Sequence, residues 1–137
     1  MKILIDSNIA LDSLLERYPF HVESEKVIDL ASDRVDVLIS ASAVTDVFYI
    51  TSREKKSKQV AMSTLKGLLR TVKIAPLDDA DIRRAIALDW DDFEDAVQFA
   101  AGERAGVDFI VTRDKTNYAK STIPVVAPAE LIALLQA

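Results

Sequence analysis

At 137 residues, half of them hydrophobic, the chain has the size of one domain and can bury an ordinary core without covalent staples. It has no cysteine and a single histidine, His21, which excludes disulfides and thiolate metal sites and argues against a histidine-rich zinc site or a Ser-His-Asp triad. That leaves carboxylates as the main carriers of any chemistry, while a net charge of −5, taken over the whole chain, disfavours phosphate binding. The N-terminus offers no signal-peptide pattern, and no stretch approaches the ~20 apolar residues that span a bilayer. The expectation is one cytoplasmic domain over residues 1–137 without membrane contact.

The first strand is predicted at Lys2-Ile3-Leu4-Ile5, a short apolar run, and the apolar positions Ile9, Ala10, Leu11, Leu14 and Leu15 behind it recur at helical spacing. Asp6 therefore stands at the carboxyl end of a strand, where open α/β sheets bind ligands. A single Asp or Ser there is equally an N-cap. After Tyr18-Pro19-Phe20 a second helix is expected from about His21 to Ser32, with His21 at its entry as an ordinary surface residue.

Val35 to Ser40 is the second predicted strand. Ser42 is expected to cap the helix that follows, whose apolar set is Val44, Val47, Phe48 and Thr51. Asp46 falls in the first turns of that helix, where the macrodipole favours an acid in any case. From Arg53 to Lys73 seven cations, Arg53, Lys55, Lys56 and Lys58 among them, stand against Glu54 alone, a net +6 that leaves −11 for the remainder. Such a segment is either a solvated helical face or a surface for phosphates.

A helix with Val60, Met62, Leu65, Leu68 and Leu69 leads to a short strand at Val72 to Ala75, stopped by Pro76. Asp78 then caps a helix containing Ile82, Ala85 and Ile86. The densest acidic run, Asp89-Trp90-Asp91-Asp92-Phe93-Glu94-Asp95, opens the next helix, and Asp91 with Glu94 has capping-box spacing. Capping accounts for one or two of these acids. It does not account for so many in one turn, where like charges repel unless a cation is present. Trp90 and the phenylalanines are expected in the core rather than as platforms for bases.

Phe109 to Thr112 is a further strand, delivering Asp114 just past its end. Val125 and Val126 form a last one, and Pro128 opens a terminal helix. Strands alternating with helices imply an α/β fold, a parallel sheet covered on both faces. Asp6, Asp46, Asp95 and Asp114 then meet at one edge of it. Hard oxygen donors without sulfur select Mg²⁺ or Mn²⁺, and carboxylate-held ions of this kind suit phosphodiester hydrolysis.

At these residues the chain resembles a known family. Leu4-Ile5-Asp6-Ser7-Asn8-Ile9, Ile39-Ser40-Ala41-Ser42 through Asp46-Val47-Phe48-Tyr49, Asp92-Phe93-Glu94-Asp95-Ala96 and Ile110-Val111-Thr112-Arg113-Asp114 are similar to the PIN domain, above all its bacterial toxin-like branch. The resemblance implies a three-layer fold with strand order 3-2-1-4-5 and a Mg²⁺- or Mn²⁺-dependent ribonuclease. It further implies the toxin of a toxin–antitoxin pair and a tendency to form a homodimer. It assigns Asp6, Asp46, Asp95 and Asp114 to the acidic metal-binding set, Asn8, Ser42 and Thr112 to the polar lining, and Asp92 to a supporting position. The family's second acid is commonly Glu, and Asp46 is one methylene shorter, so it needs a water or a closer helix to reach a metal.

In that setting Arg53, Lys55, Lys56 and Lys58 are candidates for guiding an RNA backbone, or for holding an antitoxin. The competing expectation is a catalytically silent PIN-like domain that binds RNA or protein. A receiver-type phosphoacceptor would want an acidic pair after the first strand, where Ser7 follows Asp6. Gly67, Gly102 and Gly106 make no dinucleotide-binding turn, and Asn8 breaks an Asp-x-Asp phosphatase pattern.

Overall fold

The computed structural model describes residues Met1–Ala137. Five strands, β1 (Lys2–Ile5), β2 (Asp36–Ser40), β3 (Lys73–Ala75), β4 (Phe109–Val111) and β5 (Val125–Val126), form one sheet in the order β3-β2-β1-β4-β5. Every pairing is parallel. The order expected from the family resemblance is the one observed.

Register brings the carboxyl ends of the strands level. Ile5 lies opposite both Ile39 and Val111, and Ser40 lies opposite Ala75. The ladder runs one residue further, since the Asp6 amide donates to the Val111 carbonyl at 2.9 Å and the Thr112 amide to the Val126 carbonyl at 3.0 Å. Asp6 and Thr112 are thus fixed by sheet hydrogen bonds although they lie outside the strands proper. The chain leaves β1 towards β2 on one side and reaches β4 on the other, so the strand order reverses at β1 and a crevice opens at its carboxyl end.

Alternation along β1 builds two cores, because successive side chains point to opposite faces. Ile3 and Ile5 join Ile9 from α1 (Ser7–Leu14), Val27 from α2 (His21–Ile28), Val47 from α3 (Ala41–Lys55), Leu68 from α4 (Lys58–Leu68) and Leu131 from α7 (Pro128–Gln136). Leu4 on the other face joins Phe99 and Ala101 of α6 (Phe93–Ala105), with α5 (Asp79–Leu88) packed outside α6. The three layers follow from this division.

Helix boundaries correct two capping expectations. β2 passes into α3 without a linker, so Ser40 rather than Ser42 is the N-cap, its Oγ accepting from the Ala43 amide at 3.2 Å. α6 begins at Phe93, so Asp92 rather than Asp91 is its cap, accepting from the Asp95 amide at 3.0 Å. Asp78 caps α5 as expected, in a reciprocal box with Asp81. α2 stops at Ile28, short of the expected Ser32. Gly106 ends α6 with φ +70°, the left-handed position that glycine takes at no steric cost.

Candidate active site

Asp6 occupies the N-cap position of α1, yet its side chain makes no capping bond. Its carboxylate is committed elsewhere. Oδ2 accepts the Thr112 hydroxyl at 2.8 Å, and Oδ1 accepts the Gln98 amide at 3.2 Å and the Ser7 hydroxyl at 3.2 Å. Thr112 is itself saturated, receiving the Asn8 Nδ2 at 3.3 Å and the Asp114 amide at 3.1 Å. A relay of hydrogen bonds therefore runs from α1 through the end of β4 and sets the angle of the Asp6 carboxylate.

Asp95 is presented by the first turn of α6, and both of its protein bonds are made at Oδ1, from Tyr118 Oη at 3.1 Å and from Gln98 Nε2 at 3.4 Å. One amide nitrogen thus spans the two carboxylates. Asp6 and Asp95 are only 6% and 7% exposed, so their repulsion is poorly screened. Burial first, then the charges of Asp6 and Asp92, push the Asp95 carboxyl up to about 7. The Tyr118 phenol, buried beside both carboxylates, is pushed up as well and remains a donor.

Asp46 and Asp114 are the other two acids expected from the sequence. Asp46 is half-buried in α3, and desolvation raises its carboxyl above the usual range. Its nearest effect is on Glu94, which is raised chiefly by the Asp46 charge, then by burial and by Asp92 and Asp6. Asp114 is turned into its own loop, where Oδ1 accepts the Thr116 hydroxyl at 2.6 Å and Oδ2 the Asn117 amide at 3.4 Å. Ser42 lies behind the end of β2, its hydroxyl 3.1 Å from that of Ser40. As they stand, no three carboxylates converge on a single point.

Residues 2–116 match the PIN domain. The chain belongs to the PIN-domain family. Ribonuclease VapC1 of Aquifex aeolicus (strain VF5) is 30% identical to it over 123 residues, 85% of this chain and 84% of the relative. A chain in the crystal structure of VapBC2 from Rickettsia felis, bound to a DNA fragment from its promoter, has a TM-score of 0.75 at 14% identity, covering 93% of this chain and 98% of that one. A chain of a toxin–antitoxin complex from Klebsiella pneumoniae has a TM-score of 0.68 at 22% identity, over 92% and 97%. Likenesses at these identities carry the fold.

The chemistry of this PIN-domain site fits a hard cation. Every side chain hydrogen-bonded to the pair offers a hydroxyl or an amide, and two buried oxygens, Asn8 Oδ1 and Gln98 Oε1, have no hydrogen-bond partner. A buried acceptor without a donor is costly, and the raised Asp95 shows the same shortage of positive charge. Carboxylate and carbonyl oxygens are the donors that Mg²⁺ and Mn²⁺ prefer.

Three members of the site were not legible as such in the sequence. Gln98 is 3% exposed in a helix whose neighbours are apolar, and a polar residue on a buried face three positions after Asp95 is the signal that marks it. Tyr118 belongs to a 3₁₀ turn, Lys115–Tyr118, that carries no apolar periodicity. Glu94 stands in the sequence as a capping partner of Asp91 and one of the crowded acids, with no site role of its own. The basic residues lie apart: Arg53 and Lys55 end α3 and Lys58 begins α4, with Lys55 about 14 Å along the helix from Asp46 at a 1.5 Å rise.

Proposed function

We propose that this PIN domain is a Mg²⁺- or Mn²⁺-dependent endoribonuclease whose acidic set is Asp6, Asp46, Asp95 and Asp114, and that it is the toxin of a toxin–antitoxin pair. The buried Asp6–Asp95 pair carries the reading, since two carboxylates held against one amide nitrogen, one of them raised to about 7, form a site short of a cation. Ribonuclease VapC1 supports the substrate class, and the VapBC2 and Klebsiella pneumoniae complexes support the kind of partner. A cation held by the four acids would neutralise them and the charge that builds on the phosphate oxygens.

The chain's own groups prepare that event. Thr112 and Gln98 fix the Asp6 carboxylate, and Tyr118 with Gln98 fixes Asp95 through Oδ1, with Asn117 close by, leaving Oδ2 the oxygen without a hydrogen bond. Hydrolysis adds water across a P–O bond, one oxygen leaving as a hydroxyl. Arg53, Lys55, Lys56 and Lys58 guide the strand's phosphates from the far end of α3. Tyr49, Val60 and Met62 on α3 and α4, all exposed, give an antitoxin chain apolar contacts beside those cations. A homodimer belongs to the same proposal and is tested by sedimentation.

The test is cleavage of a mixed RNA pool with Mn²⁺ or Mg²⁺, with EDTA, and by Asp6→Asn. Cleavage abolished both by EDTA and by the substitution supports the reading. One observation favours the silent binding module instead: Gln98 Nε2 already bridges the two carboxylates where a cation would act. RNA binding by wild type and Asp6→Asn alike, with no cleavage and no Mn²⁺ heat signal, would establish that module.

A further inference from the structure

Next to the acid pair lies a cavity of about 110 Å³ whose walls include Trp90, Asp91, Asp92, Thr116, Asn117 and Lys120. A single water needs about 10–15 Å³, so the space suits a flat ring. Its walls are bonded directly to the acidic set. Asp92 accepts from the Asp95 amide, Thr116 and Asn117 donate to Asp114, and Tyr118 of the same 3₁₀ turn donates to Asp95.

Trp90 is held as a fixed platform. Its ring centroid is 4.9 Å from that of Phe99, and Tyr118 meets it edge-on at 6.0 Å, yet it is only half-buried and still faces the cavity. The sequence pattern places this tryptophan in the core; the structure packs it on Phe99 and Tyr118 and leaves the rest of it in the cavity wall. The other walls restrict what can enter. Two carboxylates, Asp91 and Asp92, repel a phosphate but accept from N–H groups, so the occupant is a neutral ring with a donor edge. Lys120 on the same rim suits the phosphate attached to it.

We propose that this cavity receives one unpaired nucleobase of an RNA strand whose phosphate lies at the acid pair, stacked on Trp90 and with guanine preferred. Guanine presents adjacent N1–H and N2–H donors that one carboxylate accepts together, whereas uracil would point its O2 and O4 at Asp91 and Asp92. The proposal rests on the ribonuclease reading and adds to it the feature that selects the cleavage site.

Trp90 is the only tryptophan in the chain, so its fluorescence reports this cavity alone. The RNA tetramers UUGU and UUUU, titrated in EDTA, carry the same phosphates and differ in one base. UUGU is expected to change the Trp90 emission saturably and to bind at least about fivefold tighter, the lower end of what one bidentate contact to a base contributes to discrimination. Asp91→Asn, at an exposed position, is expected to keep the wild-type melting temperature and to lose that preference. Equal binding of the two tetramers, no change in emission, or a preference untouched by Asp91→Asn overturns the proposal. Because EDTA removes turnover, the two readings fail separately: a Trp90 response without cleavage in Mn²⁺ leaves this site and sinks the nuclease, and cleavage without a Trp90 response does the reverse.

Discussion

The carboxylate of Asp12 is fully buried and receives the Arg113 guanidinium in two places, Nε at 2.6 Å from Oδ2 and Nη2 at 3.2 Å from Oδ1. The pair ties α1 to the loop that leaves β4, one residue after Thr112 and one before Asp114. Phe20 covers the guanidinium at 4.3 Å, and the hydrogen bonds to Asp12, then its charge, raise Arg113 above its usual range against some desolvation. The anchor therefore sits one step behind the hydroxyl that orients Asp6.

Removing one partner of such a pair strands the other charge in a poorly solvated place, at a cost of about 3–5 kcal/mol. Arg113 is partly exposed and can turn towards water, whereas Asp12 cannot and would keep only the looser Arg17 contact at 3.7 Å. Because Arg17 still faces Asp12, Arg113→Met is expected to destabilise by the lower end of that range, about 3 kcal/mol, in urea unfolding, and Asp12→Leu combined with it to recover most of the loss. A double variant no better than the single would mean that the bond, and not the stranded charge, sets the cost.

The Asp95 carboxyl, raised to about 7 by burial and by Asp6 and Asp92, gives a signed pH dependence. Its folded value lies above the unfolded 3.8, so the native state holds the proton more tightly, and stability from this group is lost as pH rises from about 4 to about 7. At about 1.4 kcal/mol for each tenfold in acidity, the loss at pH 8 reaches up to about 4 kcal/mol. In EDTA, Asp95→Asn is expected to match wild type near pH 4 and exceed it increasingly up to pH 8, by chemical denaturation at each pH. Two curves that stay parallel across this range would show that Asp95 is ionised throughout. Saturating Mn²⁺ is expected to stabilise wild type more than the variant.

How much of this was legible in the sequence differs by residue for physical reasons. Asp6 and Asp114 follow strands that announce themselves as apolar runs, so their place at the sheet's edge could be read directly. The strand order came only with the family resemblance, because alternation fixes layers but not which strands pair. Gln98 and Tyr118 escaped because their importance lies in contacts to Asp6 and Asp95 across the fold, 92 and 23 positions away. The cap of α3 was misplaced by two residues because Ser40 and Ser42 are both good caps, and only the absence of a linker after β2 decides between them.

Gly102 stands where α6 presses on the sheet. A Cβ there would lie 3.1 Å from Val107 Cγ2 and 3.2 Å from Leu4 Cδ2, and both side chains are buried in the second core. Helix propensity favours alanine by about 1 kcal/mol, but overpacking a closed core costs about 1–3 kcal/mol. Since Leu4 is wholly buried and flanked on both sides by paired strands, the crowding is expected to win. Gly102→Ala should lower stability by about 1 kcal/mol in urea unfolding, and a rise in stability would mean that Val107 yields.

The cations at the junction of α3 and α4 stand against an otherwise acidic protein, and their use is open to a salt titration. Lys55, Lys56 and Lys58 are each without a carboxylate partner within salt-bridge distance, while Glu54 is met by Arg17 at 4.0 Å, so charge changes at these lysines leave the fold alone. If they hold phosphates, each contact releases counterions, and the slope of log K against log salt falls by about 0.7 for every single-strand phosphate contact removed. Lys55→Glu with Lys58→Glu is expected to weaken RNA binding and to flatten the slope by about 1.4, with the melting temperature unchanged. A slope that stays at the wild-type value would make these lysines a solvated face.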